Sequence, residues 1–212
     1  LGTLLIDRKR FDEAKHVLSV AIQLRPYYGK AFYNMARMHE ELGDSQKAWE
    51  FLKKATDGDF DLPDMFVKLG NLSINLSKYD EAIRAYTRAI MGGHQSDDVS
   101  FNLANAYFMT GNHDAAVKMY HMLSQKNPSD GRFAYNKGEA YFIKKDFNNA
   151  LVSFKDAATA EKPVIQGHFR VSHCLEAMHK FDEARTYLNG LFGSELDNEF
   201  KRSIHQQLSR LD

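Results

Sequence analysis

Asn34, Lys68, Asn102, Asn136 and Arg170 recur at an interval of 34 residues. A carboxamide carries both a donor and an acceptor, so each asparagine can pair bidentately with the backbone of an extended ligand, whatever that ligand's sequence. Asn71 and Asn105 follow three residues behind Lys68 and Asn102. On a helix that spacing places them on the same face. Immediately before the row stand Tyr33, Val67, Phe101, Tyr135 and Phe169. Aromatics beside amides suit an extended segment whose side chains alternate between pockets and solvent, and they equally suit packing between neighbouring helices. Phe108, Met109, Phe142 and Ile143 lie one turn further along, with the same two readings.

Other chemistries lack the residues they need. The chain has nine histidines and one cysteine, but His168, His173 and Cys174 do not share a helical face, and adjacent residues seldom chelate one ion. No metal or other cofactor is therefore expected. A lone cysteine forms no internal disulfide. No phosphate-binding glycine loop, nucleophile elbow or HExxH word occurs, so no enzymatic activity is expected either. The 28 basic and 28 acidic side chains give a formal net charge of zero. Nucleic-acid binding draws on a surplus of Lys and Arg, and a polybasic membrane contact needs the same, so neither partner is expected. Glu40, Glu41, Lys53, Lys54, Lys144 and Lys145 read most simply as solvated charges.

What must position the row is a repeat. Ala14, Ala48, Ala82, Ala116, Ala150 and Ala184 follow one another at the same 34-residue interval. Similar words surround them, among them Phe11-Asp12-Glu13-Ala14, Tyr79-Asp80-Glu81-Ala82 and Phe181-Asp182-Glu183-Ala184. Twelve residues before each alanine stands a small residue: Gly2, Ala36, Gly70, Ala104, Gly138 and Ser172. Small residues on two helices let their backbones approach closely, and each helix pair must then bury its remaining face on a neighbour. The chain has only four prolines, Pro26, Pro63, Pro128 and Pro163, and all fall between successive units of the period, where a helix must stop. Gly43 and Gly111 occupy equivalent positions inside two units, suited to a left-handed helix end.

The period and its words resemble the tetratricopeptide repeat, a helix-turn-helix of 34 residues. The resemblance rests also on Leu1-Gly2, Leu69-Gly70 and Leu103-Ala104, with an aromatic three residues on at Tyr107 and Tyr141; His39 and Leu175 depart at that position. It implies an all-α fold, a right-handed superhelical solenoid of antiparallel helix pairs. The array would occupy residues 1–193, with a partial repeat over 1–28 and repeats starting at 29, 63, 97, 131 and 165. Residues 194–212 would form a capping helix. Ser194-Glu195-Leu196-Asp197 has the form of a capping box, and Leu196, Phe200, Ile204, Leu208 and Leu211 form one apolar stripe.

The resemblance also implies that the first helix of each pair lines a concave groove, and hence a function in protein-protein interaction. The partner would be an extended peptide or a helix. Its contacts would be Asn34, Asn71, Asn102, Asn105 and Asn136, with Lys68, Arg132 and Arg170 supplying charge and Phe101 and Tyr135 apolar pockets. Some relatives clamp an acidic chain terminus with lysines and asparagines on successive first helices. Here Val67 and Phe101 stand at the lysine sites, which excludes the full clamp and leaves Arg132 and Arg170 as contacts to a single acidic group. The alternative is a scaffold segment that works through its ends. In register, Leu1 is the seventh residue of a first helix, so Leu4 and Leu5 are expected at an exposed apolar end suited to end-to-end association.

Overall fold

The computed structural model describes residues 1–58, 62–193 and 198–211. Among them are thirteen α-helices and no β-strand, as the all-α expectation requires. The chain divides into two compact units, Leu1–Thr110 and Gly111–Asp212. The first holds α1 (Gly2–Asp7), α2 (Phe11–Leu24), α3 (Gly29–Glu41), α4 (Ser45–Thr56), α5 (Pro63–Asn75), α6 (Tyr79–Met91) and α7 (Asp97–Met109). The second holds α8 (His113–Lys126), α9 (Gly131–Ile143), α10 (Phe147–Thr159), α11 (Gly167–Ala177), α12 (Phe181–Gly190) and α13 (Asn198–Leu208). Within each unit consecutive helices pack as pairs, and each pair packs on the next.

The six repeat alanines are completely buried. Their partners complete the design: where the small residue of the first helix is glycine, a large side chain from the second helix fills its place. A Cβ on Gly70 would lie 2.5 Å from the Tyr86 ring, and one on Gly138 would lie 2.7 Å from Phe154. Such distances exclude any side chain, so glycine sets how closely α5 and α6 approach. The first unit builds two apolar clusters, one around Leu5, Leu18, Met35 and Met38, the other around Leu52, Met65, Phe66 and Leu69. The second unit centres on Phe154, Val171, Cys174 and Leu175.

The turns repeat as faithfully as the helices. Gly43 and Gly111 have φ of 73° and 80°, the left-handed conformation expected of them. Lys9, Ser77, Lys145 and His179 stand at the same repeat position and adopt the same conformation, with φ between 56° and 61°. Gly43 and these four close their helices with a reverse bond from the following residue: Asp44 N–H donates to the His39 carbonyl at 2.9 Å and Lys78 N–H to that of Ser73 at 2.7 Å. The reverse bonds satisfy carbonyls that a helix end leaves open, which is why four residues with a Cβ accept the strain.

At the array's beginning Leu1 and Leu4 are exposed, whereas Leu5 is buried against Leu18 and Met35. The expectation of an exposed Leu5 is thereby corrected: α1 is amphipathic, and Leu5 faces inward with Ile6. The capping-box residues 194–197 lie outside the described residues. Beyond them α13 carries part of the apolar stripe: Ile204 is fully buried, and Phe200 packs on Phe169 with ring centroids 4.6 Å apart. Gln207 donates to Glu176 on α11 at 3.0 Å.

Candidate functional site

The candidate residues are divided between the two units. In the first, α3 carries Asn34, α5 carries Lys68 and Asn71, and α7 carries Phe101, Asn102 and Asn105. In the second, α9 carries Arg132, Tyr135 and Asn136, and α11 carries Arg170.

The asparagines are not equivalent. Asn34 is only 7% exposed, donates to the Lys30 carbonyl at 2.9 Å and accepts from the Thr3 hydroxyl at 3.3 Å. Both ends of its amide are thus engaged inside the unit. Asn136 likewise donates to the carbonyl four residues back, that of Arg132, at 2.8 Å. Asn71 is exposed, and its Oδ1 accepts the Tyr86 hydroxyl proton at 2.6 Å. Asn102 is half-buried on α7. Asn105 sits half-buried one turn further along. Burial pushes the Tyr86 phenol up to about 12, partly offset by Asn102, so the hydroxyl keeps its proton at neutral pH.

The three candidate cations are all paired with acids of the same unit. Lys68 meets Glu40 on α3 at 3.0 Å, and Arg170 meets Glu139 on α9 at 2.6 Å. Arg132 folds back on Asp130 at 2.7 Å and helps hold that carboxyl below its usual range. Arg37 repeats the pattern with Asp7. Such half-exposed pairs are worth about 0 to 1 kcal/mol each, so their consequence is electrostatic rather than structural: they neutralise the row. The partners also revise the reading of several charges as merely solvated. Glu40 serves Lys68, Lys53 pairs with Glu81 at 2.9 Å, and Lys144 pairs with Asp114. A sequence signal for these pairs exists, an acid near the end of one first helix and a cation about a repeat later on the next, but at offsets of 28 to 31 residues rather than the 34 of the period.

The aromatics beside the amides pack. Tyr33, Val67 and Tyr135 lie against the apolar clusters of their units, Tyr135 meeting Phe154 edge-on with centroids 5.5 Å apart. Phe142 packs edge-on against Phe147 and lies under the Arg170 guanidinium, 4.3 Å away. Phe101 and Phe108 are half-buried, and Met109 and Ile143 are exposed. Cys174 is fully buried and its thiol is pushed up to about 12 by desolvation, as its packing role requires. His173 borders a small cavity of about 260 Å³ with Phe169, Gln206 and Arg210. Among the described residues no group of three or more His, Cys, Asp or Glu converges to hold a metal ion. No helix among them is long and apolar enough to cross a membrane.

Tetratricopeptide repeat family models match residues 29–59, 76–137 and 131–162, together more than half of the chain. The chain belongs to the tetratricopeptide repeat family. A curated relative, the Hsp70-Hsp90 organising protein of Plasmodium falciparum (isolate 3D7), is 31% identical over 97 residues, 42% of this chain. This tetratricopeptide repeat chain spans only 17% of that relative's length. Among solved structures, one of Naa15/Naa10 bound to HypK-THB superposes with a TM-score of 0.78 at 13% identity, covering 99% of this chain and 32% of that one. YrrB, a tetratricopeptide repeat protein with an unusual peptide-binding site, superposes with a TM-score of 0.65 at 15% identity, covering 89% and 97%. At these identities the likeness is one of fold.

Proposed function

We propose that this chain is a non-enzymatic interaction module that holds an extended segment of a partner protein against the first helices of its pairs, and that it reads the partner's backbone rather than its charge. The observation that carries this reading is the combination of an exposed amide at Asn71, half-buried amides at Asn102 and Asn105, and cations already neutralised by Glu40, Asp130 and Glu139. An acidic ligand would have to displace those carboxylates to reach Lys68, Arg132 or Arg170. A neutral backbone leaves those ion pairs in place, because carboxamides meet peptide N–H and C=O groups directly. The family of the chain and the peptide-binding site named for YrrB are consistent with this mode. The chaperone-organising role in the name of the Plasmodium relative points to a protein partner, held here by a different electrostatic arrangement from an acid clamp.

The test is selection of peptides from a displayed random library, followed by titration of the selected peptides against Asn71→Ala/Asn102→Ala. Two hydrogen bonds of ordinary strength are worth on the order of tenfold in affinity or more. That loss is expected in a protein that still folds, although the buried Tyr86 hydroxyl loses its Asn71 acceptor at a cost to stability of about 1 to 3 kcal/mol. Unchanged affinity would overturn the assignment of these amides.

A further inference from the structure

Two positions of the repeat that are filled elsewhere are not filled on α9. Counted from the repeat starts, the seventh residue of the first helix is Met35 on α3, Leu69 on α5, Leu103 on α7 and Val171 on α11, all buried. On α9 it is Lys137, half-buried. The fourth residue is phenylalanine on α3 and α5, Phe32 and Phe66, but Ala134 on α9. Against Phe66 the first unit sets the Arg88 guanidinium, 4.2 Å from the ring centroid. The residue equivalent to Arg88 on α10 is Asp156, a shorter side chain with no ring to cover. The space stays open: a cavity of about 450 Å³ lies between α8, α9 and α10, with His121, Ala134, Lys137 and Asp156 among its lining. Sites for small molecules run from roughly 300 to 1,000 Å³. None of the residues assigned above to peptide binding lines this one.

The charges around the cavity decide what fits it. No carboxylate of the described residues lies within ion-pair reach of Lys137. Of the two acids in the lining, Asp130 is taken by Arg132, whose guanidinium reaches it at 2.7 Å. Asp156 is exposed and pairs with no cation of the described residues. The lining hydroxyls of Ser124 and Thr159 have no proton to offer, since they donate to the His121 and Lys155 carbonyls at 2.9 Å each. One ammonium and one carboxylate therefore face the same space without reaching each other. We propose that this cavity binds a small dipolar ligand with the chemistry of a free amino acid, its carboxylate on Lys137 and its ammonium on Asp156. Phosphate or a dicarboxylate would be repelled by Asp130 and Asp156, and a diamine by Lys137. An apolar ligand would strip water from both charges and replace none of it. The proposal is independent of the peptide-reading face and does not need it.

The experiment titrates the full chain with glycine, β-alanine and γ-aminobutyrate, which carry the two charges at increasing separation. Butyrate, butylamine and inorganic phosphate, each of one sign, are the comparison. Backbone ¹H–¹⁵N signals report where each probe binds. At least one dipolar probe shifts the Ala134, Lys137 and Asp156 signals to saturation, and it binds about fivefold more tightly than butyrate or butylamine, the most that one partly exposed ion pair adds. Lys137→Leu installs the residue that α5 and α7 carry at this position and abolishes the binding, whereas Lys137→Arg keeps it. In Asp156→Asn the dipolar probe binds no better than butyrate. The proposal is overturned if no dipolar probe shifts these signals, if a folded Lys137→Leu protein binds as the wild type does, or if phosphate or butyrate binds as tightly as the best dipolar probe. Should Lys137→Leu fail to fold, Asp156→Asn decides, because its side chain is exposed; an unchanged preference for the dipolar probe then overturns the proposal.

Discussion

His39 stands where the repeat favours an aromatic, and its ring stacks on Phe51 with centroids 5.3 Å apart. It is buried, with Asp44 at 3.8 Å as its nearest acid. Burial lowers its pKa, Asp44 opposes that, and burial wins. A histidine whose folded pKa lies below its unfolded value gives up stability on acidification: the unfolded chain takes the proton first, near pH 6.5. The contribution is complete above that value and is lost as pH falls through the folded pKa. His168 in the second unit is shifted the same way by burial. Thermal unfolding of the wild type is therefore expected to weaken between about pH 7 and pH 5, and His39→Phe, which keeps the stack without the titration, should weaken less. Melting curves at several pH values check this. A constant difference between the two proteins across that range would remove His39 as the cause.

The turn between α5 and α6 shows how an element trades one term against another. Ser77 holds φ of 56°, a conformation that costs a residue with a Cβ about 1 to 2 kcal/mol. Glycine avoids that cost but gives back about 0.5 to 1 kcal/mol of chain entropy. Ser77→Gly should accordingly stabilise the first unit by about 0.5 kcal/mol, measured by urea unfolding. Next to it Lys78 occupies the N-cap of α6 with no side-chain bond, whereas Asp44 at the equivalent place accepts from the Lys47 N–H. Lys78→Asp looks like a gain of about 1 kcal/mol. The Lys78 ammonium, however, lies 4.1 Å from the centroid of the Trp49 ring, a contact worth about 0.5 to 1 kcal/mol at a partly exposed site. The two nearly cancel, so Lys78→Asp is expected to leave stability almost unchanged. A gain as large as that of a simple cap would mean the ring contact contributes nothing.

At the scale of the whole molecule, the 34-residue period is enough to place the helices, because it records a packing rule that depends on residue size alone: alanine, glycine or serine where two backbones must approach. The functional face is less legible for a physical reason. Whether Asn34 is available depends on Thr3, 31 residues away, and the sense of Asn71 depends on Tyr86, 15 residues away; neither distance belongs to the period. The cations mislead in the same manner, since Lys68 and Arg170 look free until Glu40 and Glu139 are seen beside them. With 28 charges of each sign and these groups paired within their units, the molecule presents little net field to a ligand. Raising ionic strength shrinks the reach of exposed charges from about 10 Å at 0.1 M to about 3 Å at 1 M, which weakens any complex held by them. Peptides selected for binding should therefore change affinity by less than about twofold between low and high salt, as a backbone-reading face requires. A loss on the order of tenfold would mean that Lys68, Arg132 or Arg170 leaves its acidic partner for the ligand, and the face would then read charge after all.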